Sequence, residues 1–182
     1  MIREGEIKKY LVQPVDLIGF LLLTRVAHKL VYYVMAAIPF ALVFYLLRDH
    51  LPPWPGALIL SAYLASLVMG FFIGFFMETA IGLVTFWWLE VKSVLFVYML
   101  FTYLLSGHMF PLDMLPEPYF SMVKALPMQY LAYFPSAVFL GKVQGQALAQ
   151  GLLIQLTWVV FFVILSRFLY ARGVKQYSGY GG

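Results

Sequence analysis

An all-α fold, a polytopic bundle of about four membrane-spanning helices, is predicted by three features of the 182-residue chain: its apolar excess, the spacing of its charges, and the uneven placement of its Lys and Arg residues. Hydrophobic types make up 63% of the sequence and charged types 11%, against roughly 45–50% and about 25% in soluble domains. A chain of this length keeps much of its surface in contact with solvent, so lipid must be the solvent for a large part of it. Aromatic residues at 19% suit the same setting, because Trp and Tyr favour the membrane interface.

The charges mark out the elements. Leu30–Leu47, Leu51–Met77 and Val143–Ser166 carry no charged residue, and Ser93–Leu112 has His108 as its one titratable group apart from tyrosines. A helix needs about 20 apolar residues to cross the hydrocarbon layer. Crossings are therefore expected at 30–48, 57–84, 91–109 and 148–169. They must be helices, since unpaired backbone groups are too costly in lipid and the runs lack the alternation of barrel strands. Four crossings put both termini on one side. That side would hold Arg3, Lys8, Lys9, Arg25, Lys29, Lys92, Arg167, Arg172 and Lys175, leaving Arg48, Lys124 and Lys142 opposite. The excess of basic residues places both termini in the cytoplasm.

The connections differ in character. Arg48–Gly56 is a short outer loop stiffened by three prolines, and Leu89–Lys92 is the centre of a tight inner turn beside the interfacial pair Trp87 and Trp88. His108–Lys142 is long, rich in proline and too apolar for a solvated loop. Pro118 suits the first turn of a short helix, Pro127 would stop it, and a second short helix is expected from about Met128 to Leu140, with a break at Pro135. These two helices are expected to lie at the outer surface or to dip into it as re-entrant elements, covered by protein or by a water-filled cavity. Ahead of the first crossing, Glu4–Leu11 reads as a short cytoplasmic helix ended by Pro14. Val15–Lys29 then reads as a bent interfacial helix distinct from the crossing at 30–48. The whole chain, 1–182, is one transmembrane domain with a cytoplasmic tail at 170–182.

Several functions find no support. Met1–Gln13 carries charges of both signs and little apolar content, unlike a secretory signal, so insertion rests on the internal apolar segments. Basic residues form no run interleaved with aromatics, which removes the footprint of nucleic-acid binding. There is no cysteine, so no disulfide or thiolate metal site. His28 falls on one side and His50 and His108 on the other, with no acidic cluster at metal-ligand spacing, so neither a metal site nor a catalytic residue is assigned. The polar ends of membrane helices account for such histidines.

Two features of the second crossing are candidates for function. Glu78 would lie in the inner half of the membrane, where an acid is a functional candidate; the alternative is a helix that ends near Met77 and leaves Glu78 among headgroups. Gly70 and Gly74 stand at i and i+4, a spacing that lets another element approach closely, whether from this chain or from a second subunit.

Four stretches carry a resemblance to a known family. SGHMFPLDMLPEPYF (Ser106–Phe120), LPMQYLAYFPSAVFLG (Leu126–Gly141), the tail RGVKQYSGYGG (Arg172–Gly182) and the start IREGEIKKYLVQPVD (Ile2–Asp16) resemble permease subunits of type-2 ABC exporters. More narrowly, they resemble the daunorubicin- or viologen-type export permeases. Members usually have six crossings, with the Ile2–Asp16 motif after the second, so the first two membrane helices are expected to be missing. The resemblance implies a multi-pass plasma-membrane exporter subunit, of the kind linked to multidrug transport, that pairs with a second permease subunit, identical or related. It implies no cofactor of its own: ATP would be bound by a separate cytoplasmic ATP-binding subunit, and no G-x-x-x-x-G-K-[ST] loop occurs here. It also implies that Arg3, Glu4, Gly5, Glu6, Lys8, Lys9 and Pro14 form the segment that couples to that ATPase. A non-transporting membrane scaffold or assembly protein is the alternative from another class. The cargo is not written in the sequence, since lipids, drugs, dyes and peptides would all tolerate an aromatic, apolar path.

Overall fold

The structure, a computed structural model, describes residues 15–50, 54–88 and 92–176. Every regular element among them is helical. Three helices are long and apolar enough to cross a membrane, and a fourth apolar helix is shorter. The chain divides into two units, one running to Trp54 and the other from Pro55 to Ser178.

In the first unit, helix α1 spans Leu17–Leu46. Asp16 caps its start by accepting a hydrogen bond from the Gly19 amide at 3.0 Å, satisfying one of the orphan donors of a helix N-terminus. The expectation of an interfacial helix over 15–29 separate from a crossing at 30–48 is corrected here: one helix runs through both without interruption. Its 30 residues make it about 45 Å long, against roughly 30 Å of hydrocarbon. The surplus of roughly 15 Å, about ten residues, accommodates Arg25 near the start of the same helix, with His28 and Lys29 at its edge. Pro39 lies inside it, as membrane helices tolerate. A 3-10 turn follows at Arg48–His50.

The second unit is built on α2 (Ala57–Leu83), extended by a 3-10 turn at Val84–Phe86. The helix does not end at Met77. Helix α3 spans Lys92–Leu105, shorter than the 91–109 expected, and at 14 residues only about 21 Å long. Helices α4 (Tyr119–Lys124) and α5 (Tyr133–Phe139) are short, with 3-10 turns at Leu112–Met114 and Pro127–Leu131 between α3 and α5. Helix α6 is the longest, at Gly145–Gln176. Pro118 stands just before the first short helix rather than in its first turn, and that helix ends at Lys124, ahead of Pro127, which begins the next element. The expected break at Pro135 is corrected: it comes at Ala132 (φ −144°, ψ −50°), and Pro135 sits in the first turn of α5, where its missing N–H costs nothing.

Helices α2 and α6 run parallel and are joined at three levels. Ser66 bonds Gln155, the Ser166 hydroxyl donates to the Phe76 carbonyl at 2.9 Å, and Gly173 lies under the Phe86 ring. Both partner numbers rise together, so both helices travel in the same direction. The chain between them must return from the Phe86 end to the Ala57 end, and α3 begins that return. Large apolar side chains such as Phe96, Leu153 and Ile164 face outward along the way, a surface suited to lipid.

Candidate functional site

The segment after α3 folds back into the unit as a helical hairpin. Tyr63 on α2 packs its ring against Phe139 at 5.0 Å between centroids. Deeper in, Gly70 meets the hairpin's tip: a Cβ there would lie 2.7 Å from the Tyr130 carbonyl oxygen. Gly70 is about 20 Å along α2 from Ala57, near the middle of the helix. The Gly70–Gly74 pair thus faces this chain's own Tyr130–Leu131 backbone and the Leu131 side chain rather than a neighbouring helix. Gly151 on α6 makes matching room for the Phe134 ring.

Non-helical backbone at that depth needs partners, and one side chain supplies them. The Gln155 carboxamide donates to the Tyr130 carbonyl at 3.3 Å and to the Ser66 carbonyl at 2.8 Å, while its oxygen accepts from the Ser66 hydroxyl at 2.9 Å. Gln155 and Ser66 are fully buried. The sequence reading names neither, although Gln155, the last of four glutamines in the charge-free run at 143–166 and the one deepest in it, is a signal for the site.

Toward the other end of the hairpin, Asp113 accepts hydrogen bonds from the Tyr133 hydroxyl and from the Lys142 ammonium. The cluster ties the 3-10 turn at 112–114 to α5 and to the turn that precedes α6. The Lys142 hydrogen bond, and after it the Tyr133 hydroxyl, hold the Asp113 carboxyl below its ordinary value. A depressed folded-state pKa means that the contribution is present above the unfolded value of about 3.9 and lost as pH falls through the folded one. Asp113 and Lys142 are 36% and 49% exposed, so screening limits the contribution to about 1 kcal/mol or less. In thermal unfolding of the purified protein, Asp113→Asn is expected to melt slightly below wild type at pH 7, and the gap to close below pH 4. A gap that stays constant down to pH 3 would remove the cluster's ionic character.

A groove of about 490 Å³ lies between α2 and α3. Glu78 and Gly82 line it from α2, and Leu95, Tyr98, Met99 and Tyr103 from α3. Thr102 and His108 complete the wall; the Thr102 hydroxyl oxygen is buried with no hydrogen-bond partner among the described residues. His108 stacks on Tyr103 with ring centroids 5.7 Å apart, and its Nδ1 shares a hydrogen bond with the Ser106 hydroxyl. A Cβ on Gly82 would touch nothing within 4 Å, so this glycine opens the groove instead of admitting a neighbour. Glu78 makes an interaction of its own in the folded chain.

The predicted coupling residues Arg3, Glu4, Gly5, Glu6, Lys8, Lys9 and Pro14 lie outside the described residues, as do the middle of the turn at 89–91 and the tail from 177. No group of His, Cys, Asp and Glu among the described residues is arranged to hold a metal ion.

Three long apolar helices define a multi-pass helical membrane protein. Residues 1–181 match the family model described as ABC-2 family transporter protein, and the chain belongs to that family. It is thus of the membrane-permease class of ABC transporters, a class that associates with an ATP-binding subunit. Searches of curated proteins and of solved structures returned no match.

Proposed function

We propose that the chain is the membrane-spanning subunit of an ATP-binding-cassette exporter, forming its path with a second permease subunit and driven by a separate cytoplasmic ATPase at the plasma membrane. The family match over residues 1–181 carries the reading. The parallel course of α2 and α6 supports four crossings, because the return between them makes α3 a crossing despite its length, completed by the residues that follow it. With four crossings, the excess of Lys and Arg on the side of both termini favours a cytoplasmic location for them. The re-entrant hairpin then belongs to the outer half of the layer, where it closes the path.

Coupling to the ATPase falls to Arg3–Pro14, whose mixed charges favour one docking orientation over others and whose proline leads directly to the capped start of α1. Closure of the ATPase pair would bias a permease pair between two arrangements. The test is recovery of the ATPase with the tagged permease. Reversing Glu4 and Glu6 to Lys is expected to lower that recovery at least tenfold while membrane insertion is unchanged. Wild-type recovery with normal export would move the coupling contact elsewhere, to the turn around Glu90 and Lys92.

A further inference from the structure

We propose that the outward face of α6 near its end holds one anionic glycerophospholipid. Arg172 and Lys175 grip its phosphate, and Phe161, Ile164 and Phe168 lie along an acyl chain. The inference goes beyond the exporter reading and does not depend on it, because lipid binding is a property of this chain alone.

Helical spacing assembles the face. Phe161, Ile164, Phe168, Arg172 and Lys175 follow one another at intervals of three and four residues, so they share one side of α6. The three apolar members are exposed, and so are the two cations. Gly173, by contrast, is buried beneath the Phe86 ring. It is turned about 100° from Arg172, so the contact that fastens α6 to α2 leaves the stripe uncovered. Depth follows from length. Helix α6 has 32 residues, about 48 Å, and overhangs roughly 30 Å of hydrocarbon by about 9 Å, or about six residues, at each end if centred. Phe168 then lies inside the apolar layer, and Arg172 and Lys175 stand at headgroup level. Trp87 and Trp88 mark the same level, because they follow directly on the 3-10 turn whose Phe86 ring rests on Gly173. Both are exposed, as interfacial tryptophans are.

Charge selects the headgroup. No Asp or Glu occurs between Val143 and Gly182, so neither cation has an acidic neighbour along its own helix. The Arg172 guanidinium sits over the Phe168 ring, 5.2 Å from its centroid. A seat of this kind restrains the side chain without consuming its N–H donors. Those donors suit a phosphate in a two-pronged grip that lysine cannot reproduce. Lys175 adds a second positive charge three residues on. A phosphatidylglycerol headgroup offers the pair a net negative charge, whereas phosphatidylcholine brings an ammonium of its own, which the pair repels. The pull of a helix C-terminus on cations accounts for Lys175, the basic residue of the last turn. It does not account for an arginine fixed above an exposed phenyl ring at the edge of the apolar layer.

Dioleoyl phosphatidylglycerol and dioleoyl phosphatidylcholine, equal in their chains and different in net charge, test the proposal. The purified chain in a neutral detergent is titrated with each lipid, and the lipids retained per chain are counted by native mass spectrometry. Each cation near an anionic surface strengthens attraction about fivefold, so one phosphatidylglycerol is expected to bind at least tenfold tighter than phosphatidylcholine. Arg172→Gln combined with Lys175→Gln should abolish that preference. Arg172→Lys, which keeps the charge and loses the fork, should weaken it severalfold. Lys124→Gln removes a charge elsewhere and should leave it intact. Equal binding of the two lipids overturns the site, as does a preference that survives the double variant or falls as far in Lys124→Gln. If the double variant does not fold, Arg172→Lys decides, and an undiminished preference overturns the site. Inorganic phosphate in about hundredfold excess should not displace the lipid, because it lacks the apolar area that the stripe buries; displacement would reduce the site to bare anion binding and overturn the lipid. No step of this assay uses the ATPase, so failure of ATPase recovery would count against the exporter reading alone.

Discussion

Gly70→Ala is expected to destabilise the protein by about 1–3 kcal/mol, the usual range for overpacking, although Ala is the better helix former by up to about 1 kcal/mol. The added Cβ would sit 2.7 Å from the Tyr130 carbonyl oxygen. That oxygen is main chain at the tip of a hairpin held by α2 and α6, so it has no rotamer to escape into. Gly82→Ala is the matched control on the same helix, with nothing within 4 Å of the new carbon; it should be neutral or slightly stabilising. The contrast is read as apparent melting temperature in one detergent. Equal melting of the two variants would mean that the hairpin tip does not press on α2.

Gln155→Leu is expected to be at least as damaging, for the opposite reason: it removes partners and adds no bulk. The Ser66 carbonyl keeps its place in the α2 ladder, and the Ser66 hydroxyl can turn to its own helix backbone. The Tyr130 carbonyl has no such recourse, since it loses its Gln155 donor in a buried 3-10 turn. An unsatisfied buried acceptor costs about 1–3 kcal/mol, more than the average of about 0.6 kcal/mol measured for hydrogen bonds between membrane helices. The loss should concentrate in the hairpin. Hydrogen exchange across residues 127–139 should speed up at least tenfold, while the middle of α6 stays protected. Ser66→Ala should have a smaller effect, because both Gln155 donors remain. If exchange in the hairpin is unchanged in Gln155→Leu, the carboxamide is not what holds it.

Charge spacing made the long helices legible, because in lipid a charge-free run of sufficient length has little alternative to a helix. It misled at α1. Arg25 and Lys29 look like a boundary in the sequence, yet a membrane helix longer than the hydrocarbon carries its charges on the overhang without ending. Proline carried two meanings that only its position in the helix resolves: Pro127 opens a 3-10 turn, whereas Pro135 is absorbed in the first turn of α5. The short helices of the connecting segment were readable, but their depth was not. Depth depends on Gly70 meeting Tyr130 and on Gln155 meeting Ser66, pairs separated by tens of residues, and no local pattern encodes them. Glu78 was recognised for its own sake; its setting in a groove needed α3 to be placed beside α2. The charged segment before Pro14 lies outside the described residues, so its role rests on the sequence alone.

The bond from Gln155 to the Tyr130 carbonyl spans 25 residues in the order of synthesis. At roughly 5–20 residues per second, the hairpin leaves the ribosome about 1–5 s before the glutamine that completes it. During that interval the Tyr130 carbonyl cannot be committed to the apolar interior without cost, and the aqueous boundary is its natural waiting place. The hairpin is therefore set in position late, by the arrival of α6, and not by its own hydrophobicity. Biogenesis of this chain has a checkpoint at its last helix: a nascent chain stalled before residue 155 would hold its first helices in the bilayer and its hairpin still at the surface.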